Sequence, residues 1–102
     1  MDIRLRRYIE LRLENYPRDA RQLADYSGEE SAAIARSRAV VRAINAALDS
    51  SDRETRDIIR LVFFEKRCNV IGAAMRVYLS QNCAYLRVRT FVERVAEELG
   101  EI

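Results

Sequence analysis

The chain has 102 residues, of which 49% are hydrophobic and 33% are charged, and its 18 basic and 16 acidic side chains give a formal net charge of +2. This length and balance are typical of one globular domain, and no apolar run approaches the ~20 residues that cross a bilayer. Because the chain has no His and no recognisable nucleophile motif, we expect neither an enzyme nor a cofactor site.

The two cysteines and the N-terminus indicate the compartment. Cys68 and Cys83 lie fifteen positions apart and match no metal-ligand spacing, so we expect no metal site. Ordinary reduced thiols are the favoured interpretation, and an adventitious disulfide or redox role is the alternative. The first ten residues, MDIRLRRYIE, lack the apolar core of a signal peptide. We therefore expect a cytoplasmic protein with no membrane contact.

The first predicted helix covers residues 3–16, where apolar side chains recur at spacings of three and four. Pro17 follows, and proline in a helix interior removes a hydrogen bond but suits the first turn of a new helix. We therefore expect a kink or a break at Pro17, followed by a short second helix that ends at Ser27 and Gly28.

An alanine-rich helix is predicted next, over residues 30–48. Ile34, Val41 and Leu48 repeat every seven residues along it, with Ser37 and Ile44 in the other seam position. Two heptads fit either of two structures. One is ordinary helix packing within the domain, and the other is an oligomer interface formed by these three apolar residues.

The next predicted helix begins at Ser51, because Ser51 and Glu54 have the spacing of a capping box. Its body, residues 58–64, is apolar on nearly all sides, which is typical of a central buried helix. A strand is the alternative for this β-branched and aromatic run. Asn69 is then placed to cap a short helix over residues 70–77.

Ser80 is predicted to cap the last helix, after a tight turn at Tyr78 and Leu79. The apolar residues of this helix recur at intervals of three and four, and they are Ala84, Val88, Phe91, Val95 and Leu99. Gly100 suits the C-terminal end of the helix. Two helices joined in this way are typical of a helix-turn-helix. We therefore predict one all-α domain over residues 1–102. Residues 1–48 offer an oligomerisation surface, and residues 51–100 form the helix-turn-helix unit.

The polar face of the last helix is the candidate DNA-binding site. With the apolar positions on the core, the opposite face holds Asn82, Leu86, Arg89 and Glu93, and it is flanked by Gln81 and Tyr85. Asn and Gln can read adenine, and Arg can read guanine. Since Glu93 would repel phosphate, we expect the DNA-facing part to end near Arg89. The alternative is an ordinary solvated helix face.

The charge distribution supports the same interpretation. Between positions 66 and 94 there are six basic residues and a single acid, Glu93. Those expected to contact phosphates are Lys66, Arg67, Arg76, Arg87 and Arg94. Seventeen of the eighteen basic residues are Arg, the better phosphate ligand, although a GC-rich genome produces the same bias.

Two segments resemble known families. Residues 52–99, with DRETRDIIRLVFFEKR, NVIGAAMRVYLS and QNCAYLRVRTFVERVAEELG, resemble the fourth region of sigma factors and the phage transcriptional regulators of the RinA and ArpU type. The stretch YIELRLENYPRDARQLADY is similar to the N-terminal part of the phage family. In the turn, Tyr78 stands where such motifs commonly have glycine, and Ala73–Ala74 stands where an Ile-Ala pair is common. The resemblance implies a helical protein that binds DNA to activate late or mobile-element genes.

The sequence therefore predicts a sequence-specific, DNA-binding transcriptional regulator of phage or mobile-element genes. Its expected partners are double-stranded DNA, a second copy in a homodimer or higher oligomer, and RNA polymerase. One alternative is another phage DNA-binding role, such as that of a small terminase subunit. A second alternative is a helical protein-interaction module that does not itself read DNA.

Overall fold

The computed structural model describes all residues, 1–102, and confirms the predicted all-α class. Its helices are α1 (Ile3–Asp25), α2 (Ala32–Asp49), α3 (Arg53–Ile59), α4 (Val70–Arg76) and α5 (Gln81–Glu98). A π-helical turn, Arg60–Phe64, continues α3. No helix is both long enough and apolar enough to span a membrane.

Each helix begins at a side-chain cap of the expected chemistry. The predicted caps of the last two helices are confirmed, since Asn69 accepts from the Gly72 amide at 2.9 Å and Ser80 from the Cys83 amide at 3.1 Å. The predicted start of α3 was wrong by one residue, because Asp52 is its cap. The hydroxyl of Ser51 is used elsewhere, donating to the last turn of α2.

A kink or a break was predicted at Pro17, and the break was wrong, because α1 runs through this residue without interruption. Proline removes one backbone hydrogen bond, and contacts on both sides of it hold the helix together. Arg12 pairs with Asp19 at 3.0 Å across the proline. Immediately before it, the Tyr16 ring stacks on Phe64, with ring centroids 4.8 Å apart. These tertiary contacts outweigh the local preference, so the separate second helix does not exist.

Replacing Pro17 with alanine is expected to raise the free energy of unfolding by about 1–2 kcal/mol. Alanine restores a backbone donor for the Leu13 carbonyl and favours the helix, and the gain is partly offset by a more flexible unfolded chain. Urea unfolding followed by circular dichroism measures the change. The control is Glu14→Ala on an exposed position of the same helix, expected within about 0.5 kcal/mol of wild type. A destabilised Pro17→Ala variant would contradict the expected gain from the restored hydrogen bond.

The core is organised around α5, which packs against each of the other four helices. The predicted core positions are confirmed in α5, where four of the five predicted residues are buried, Leu99 is half-buried, and Val92 and Ala96 join them. Residues 58–64 form the predicted central helix rather than a strand, and Arg60 is their exposed member. Ala73 and Ala74 are fully covered, so α4 lies close to its neighbours. Cys68 and Cys83 are free thiols, both half-buried.

The buried face of α2 lies beside the predicted heptad seam. Its core residues are Val40, Ala43, Ile44 and Ala47. The seam residues Ile34, Val41 and Leu48 are half-buried, and Leu48 packs on the core of the same chain. The oligomer interface through these three residues stays a prediction.

Candidate nucleic-acid interface

The connection between α4 and α5 is the tight turn that the sequence predicts. The amides of Val77 and Leu79 donate to the carbonyls of Ala73 and Ala74 at 3.1 and 3.0 Å, which closes the end of α4. Tyr78 lies between them in the left-handed region with φ 60°, where glycine is usually favoured. Leu79 packs on the core, whereas the Tyr78 side chain is 93% exposed. The hydrophobic anchor after it therefore holds the turn, and the tyrosine ring is left in solvent.

The first half of α5 presents an uncovered face, which we call the outer face. It comprises the exposed residues Gln81, Asn82, Tyr85, Leu86 and Arg89. These are the residues that the sequence predicts as base-contacting, and the structure places them together on one side of the helix. Their polar groups are largely free, since Arg89 has only Glu93 nearby, at 3.8 Å in the next turn. The outer face therefore carries donors and acceptors that the fold itself does not use.

Two clefts flank the outer face. The larger, about 460 Å³, separates α5 from the connection between α2 and α3. The smaller, about 280 Å³, lies between α5 and the first turns of α1. Leu86 lines both clefts and is 52% exposed, so it forms a ridge between them. The outer face thus projects from the domain.

Arg87 is held within the fold. Its guanidinium pairs with Asp52, the cap of α3, and approaches the Thr55 hydroxyl at 3.5 Å. Hydrogen bonds from Thr55, with a weaker contribution from Arg87, lower the pKa of the Asp52 carboxyl below its ordinary value. The predicted phosphate ligand Arg87 therefore joins the start of α3 to α5 in the free chain, in addition to the buried apolar contacts that hold α5 in the core.

Replacing Asp52 with alanine is expected to cost about 1 kcal/mol of stability, because α3 loses its cap. Asp52→Asn is the matched control, since it keeps the cap and removes the charge. Because the folded pKa is depressed, the charge stabilises the fold above the unfolded pKa near ~3.9, and this contribution disappears as pH falls through the folded pKa. Urea unfolding at neutral pH and at a series of acidic pH values, down to full protonation of Asp52, measures both effects. If the difference in the free energy of unfolding between wild type and Asp52→Asn is the same at the lowest pH as at neutral pH, the proposed charge contribution is contradicted.

The other predicted phosphate ligands differ in how free they are. Lys66 and Arg76 are exposed and have no acidic partner within 4.0 Å. Arg67 contacts Glu65 at 2.7 Å, and Arg94 contacts Glu98 at 3.2 Å. Such exposed pairs are weak and readily exchange for a polyanion. All four side chains are therefore accessible to a negatively charged ligand.

Arg6 is a neighbour of the outer face that sequence patterns did not reveal. The packing of α1 on α5 places it in the smaller cleft beside Asn82, Tyr85 and Arg89. The only sequence signal is three Arg among the first seven residues, which does not say which of them faces α5. Its position depends on tertiary packing alone.

In comparisons with protein-family models, curated proteins and solved structures, no match to this chain was found.

Proposed function

We propose that the protein is a sequence-specific, DNA-binding transcriptional regulator whose α5 enters the major groove of double-stranded DNA. The observation that carries this is the outer face of α5. One side of α5 forms the centre of the core, and the opposite side projects a row of unused polar groups. A single α-helix fits the major groove, where side chains at its N-terminal end reach base edges. The assignment to phage or mobile-element genes is supported by the sequence resemblance.

The residue types of the outer face match base-edge chemistry. Amide side chains at Gln81 and Asn82 can pair with adenine, and Arg89 can donate to guanine. Leu86, on the ridge, offers an apolar contact for a thymine methyl group. Contacts to backbone phosphates position the protein without reading sequence, and we assign them to Lys66, Arg67, Arg76 and Arg94. Arg87 is assigned to positioning α5.

Selection from a pool of DNA duplexes with randomised centres tests the proposal. The full chain is expected to enrich one short motif. The matched control is Arg21→Ala, which removes the same charge from an exposed position on α1, about 22 Å along the helix from Arg6, and it should enrich the same motif. Retention of no DNA, or of DNA without any motif, would contradict sequence-specific binding.

We also propose that the regulator acts as a homodimer and contacts RNA polymerase at its promoter. Pairing two half-sites increases affinity and specificity, and Ile34 and Val41 are half-buried apolar residues of α2 outside the main core. Analytical ultracentrifugation tests the dimer. A monomeric mass at micromolar concentration, with and without the selected DNA, would contradict it.

A protein-interaction module is the second candidate. Ile71, Met75 and Tyr78 follow one another at spacings of four and three along α4 and its turn, and they are 36%, 73% and 93% exposed. Exposed apolar side chains of this kind favour a protein partner. If this function is correct and DNA binding is not, the chain binds no duplex, and Met75→Lys abolishes capture of its protein partner.

A further inference from the structure

We propose that Arg6 of α1 contacts a backbone phosphate of the same DNA duplex, so that the interface extends from α5 onto the first turns of α1. This inference rests on the proposed function and adds a residue to it. The cleft of about 280 Å³ between the two helices is where the contact forms. Arg6 lines it from α1, and Asn82, Tyr85 and Arg89 line it from α5.

The charges at this cleft favour an anion. Two guanidinium groups line it, and no acidic side chain does. Each arginine has one carboxylate nearby, one turn along its own helix. Glu10 lies 3.8 Å from Arg6, and Glu93 lies 3.8 Å from Arg89. Contacts of this length between partly exposed groups contribute little and leave both cations available. The hydroxyl of Tyr85 adds a neutral hydrogen-bond donor, whereas Asn82 and Arg89 remain assigned to base edges and Arg89 contributes to the cleft only through its positive charge.

The position of the cleft favours a phosphodiester of DNA over a free anion. The cleft opens beside the outer face, and Asn82, Tyr85, Leu86 and Arg89 belong to both. A helix lying in the major groove is flanked by the two phosphate backbones, which its neighbouring elements contact. Arg6 stands on such a neighbouring element. Its guanidinium has the planar fork that suits a phosphate, and this contact would position the protein without selecting a sequence.

The test compares Arg6→Ala with Arg7→Ala, its matched control. Arg7 is the adjacent residue, exposed and without an acidic partner, and it does not line the cleft. Affinity is measured by fluorescence anisotropy over a range of salt concentrations, on the selected duplex and on a duplex of unrelated sequence. Arg6→Ala is expected to weaken binding to both duplexes by a similar factor, about 3- to 10-fold. The slope of log affinity against log salt should decrease in magnitude by ~0.9 per bound protomer, the value for one lost phosphate contact.

Arg7→Ala should change affinity less than about 2-fold, and Arg6→Lys should recover part of the loss because the positive charge remains. Melting curves of the variants show whether the fold is intact. Normal binding by Arg6→Ala together with weakened binding by Arg89→Ala would overturn the Arg6 contact and leave the proposed function standing. Failure of wild type to bind either duplex would overturn both. A third outcome is that inorganic phosphate shifts the NMR signals of Arg6 while Arg6→Ala binds duplex normally. That result would overturn the DNA contact and assign the cleft to a free anion.

Discussion

Phe91→Ala is expected to lower the free energy of unfolding by about 3–5 kcal/mol. Phe91 is only 2% exposed and is among the largest fully buried side chains. It lies on α5, which contacts all four other helices, and it also lines the larger cleft, so truncation leaves a cavity in the core next to that cleft. Since small domains are stable by about 5–15 kcal/mol, this loss removes a large share of the total.

Leu86→Ala is the matched control for Phe91→Ala. It also truncates a large apolar residue of α5, but Leu86 is 52% exposed and faces outward. Its stability should stay within about 0.5 kcal/mol of wild type. Urea unfolding followed by circular dichroism compares the two variants. A loss below about 1 kcal/mol for Phe91→Ala, or similar losses for both, would contradict the assignment of inner and outer faces of α5.

Arg89→Ala is expected to weaken binding to the selected duplex by about 1–3 kcal/mol, the discrimination provided by one good bidentate base contact. Arg89 is exposed, and its contact with Glu93 is long, so its removal should leave the fold intact. The loss should be concentrated at one base pair of the motif. Duplexes substituted at that pair should bind wild type and Arg89→Ala almost equally.

Anisotropy titrations with single-base-pair variants of the selected duplex measure this effect. Arg21→Ala serves again as the control for charge alone, and it should preserve the ranking of the duplexes. An equal loss for Arg89→Ala on every duplex would contradict base reading. That pattern would assign Arg89 to a phosphate, as proposed for Arg6.

Local chemistry in the sequence predicts most of the fold. Asn69 and Ser80 cap helices because a side-chain oxygen followed by helix-forming residues satisfies free backbone amides. The spacing of Ala84, Val88, Phe91 and Val95 defines the buried face of α5 before any tertiary structure is known. The outer face follows from the same periodicity, since it is the opposite side of the helix.

The features that sequence does not predict depend on contacts between distant residues. Pro17 favours a break locally, but Arg12 with Asp19 and Tyr16 with Phe64 support a continuous helix. Arg87 looks like any other exposed Arg of α5 until Asp52 is brought against it from 35 positions away. Arg6 joins the outer face only because α1 packs on α5. Periodicity carries no information about such pairings.

The salt dependence of duplex binding by the wild-type chain tests the DNA-binding function most directly. Each phosphate contact contributes about −0.9 to the slope of log affinity against log salt. Five residues are assigned to phosphates: Lys66, Arg67, Arg76, Arg94 and Arg6. We therefore expect a steep linear slope of about −3 to −5 per bound protomer, about twice that for a dimer on two half-sites, together with tighter binding to the selected motif than to unrelated DNA. A flat response, or no duplex binding at low salt, would contradict the function and favour the protein-interaction module.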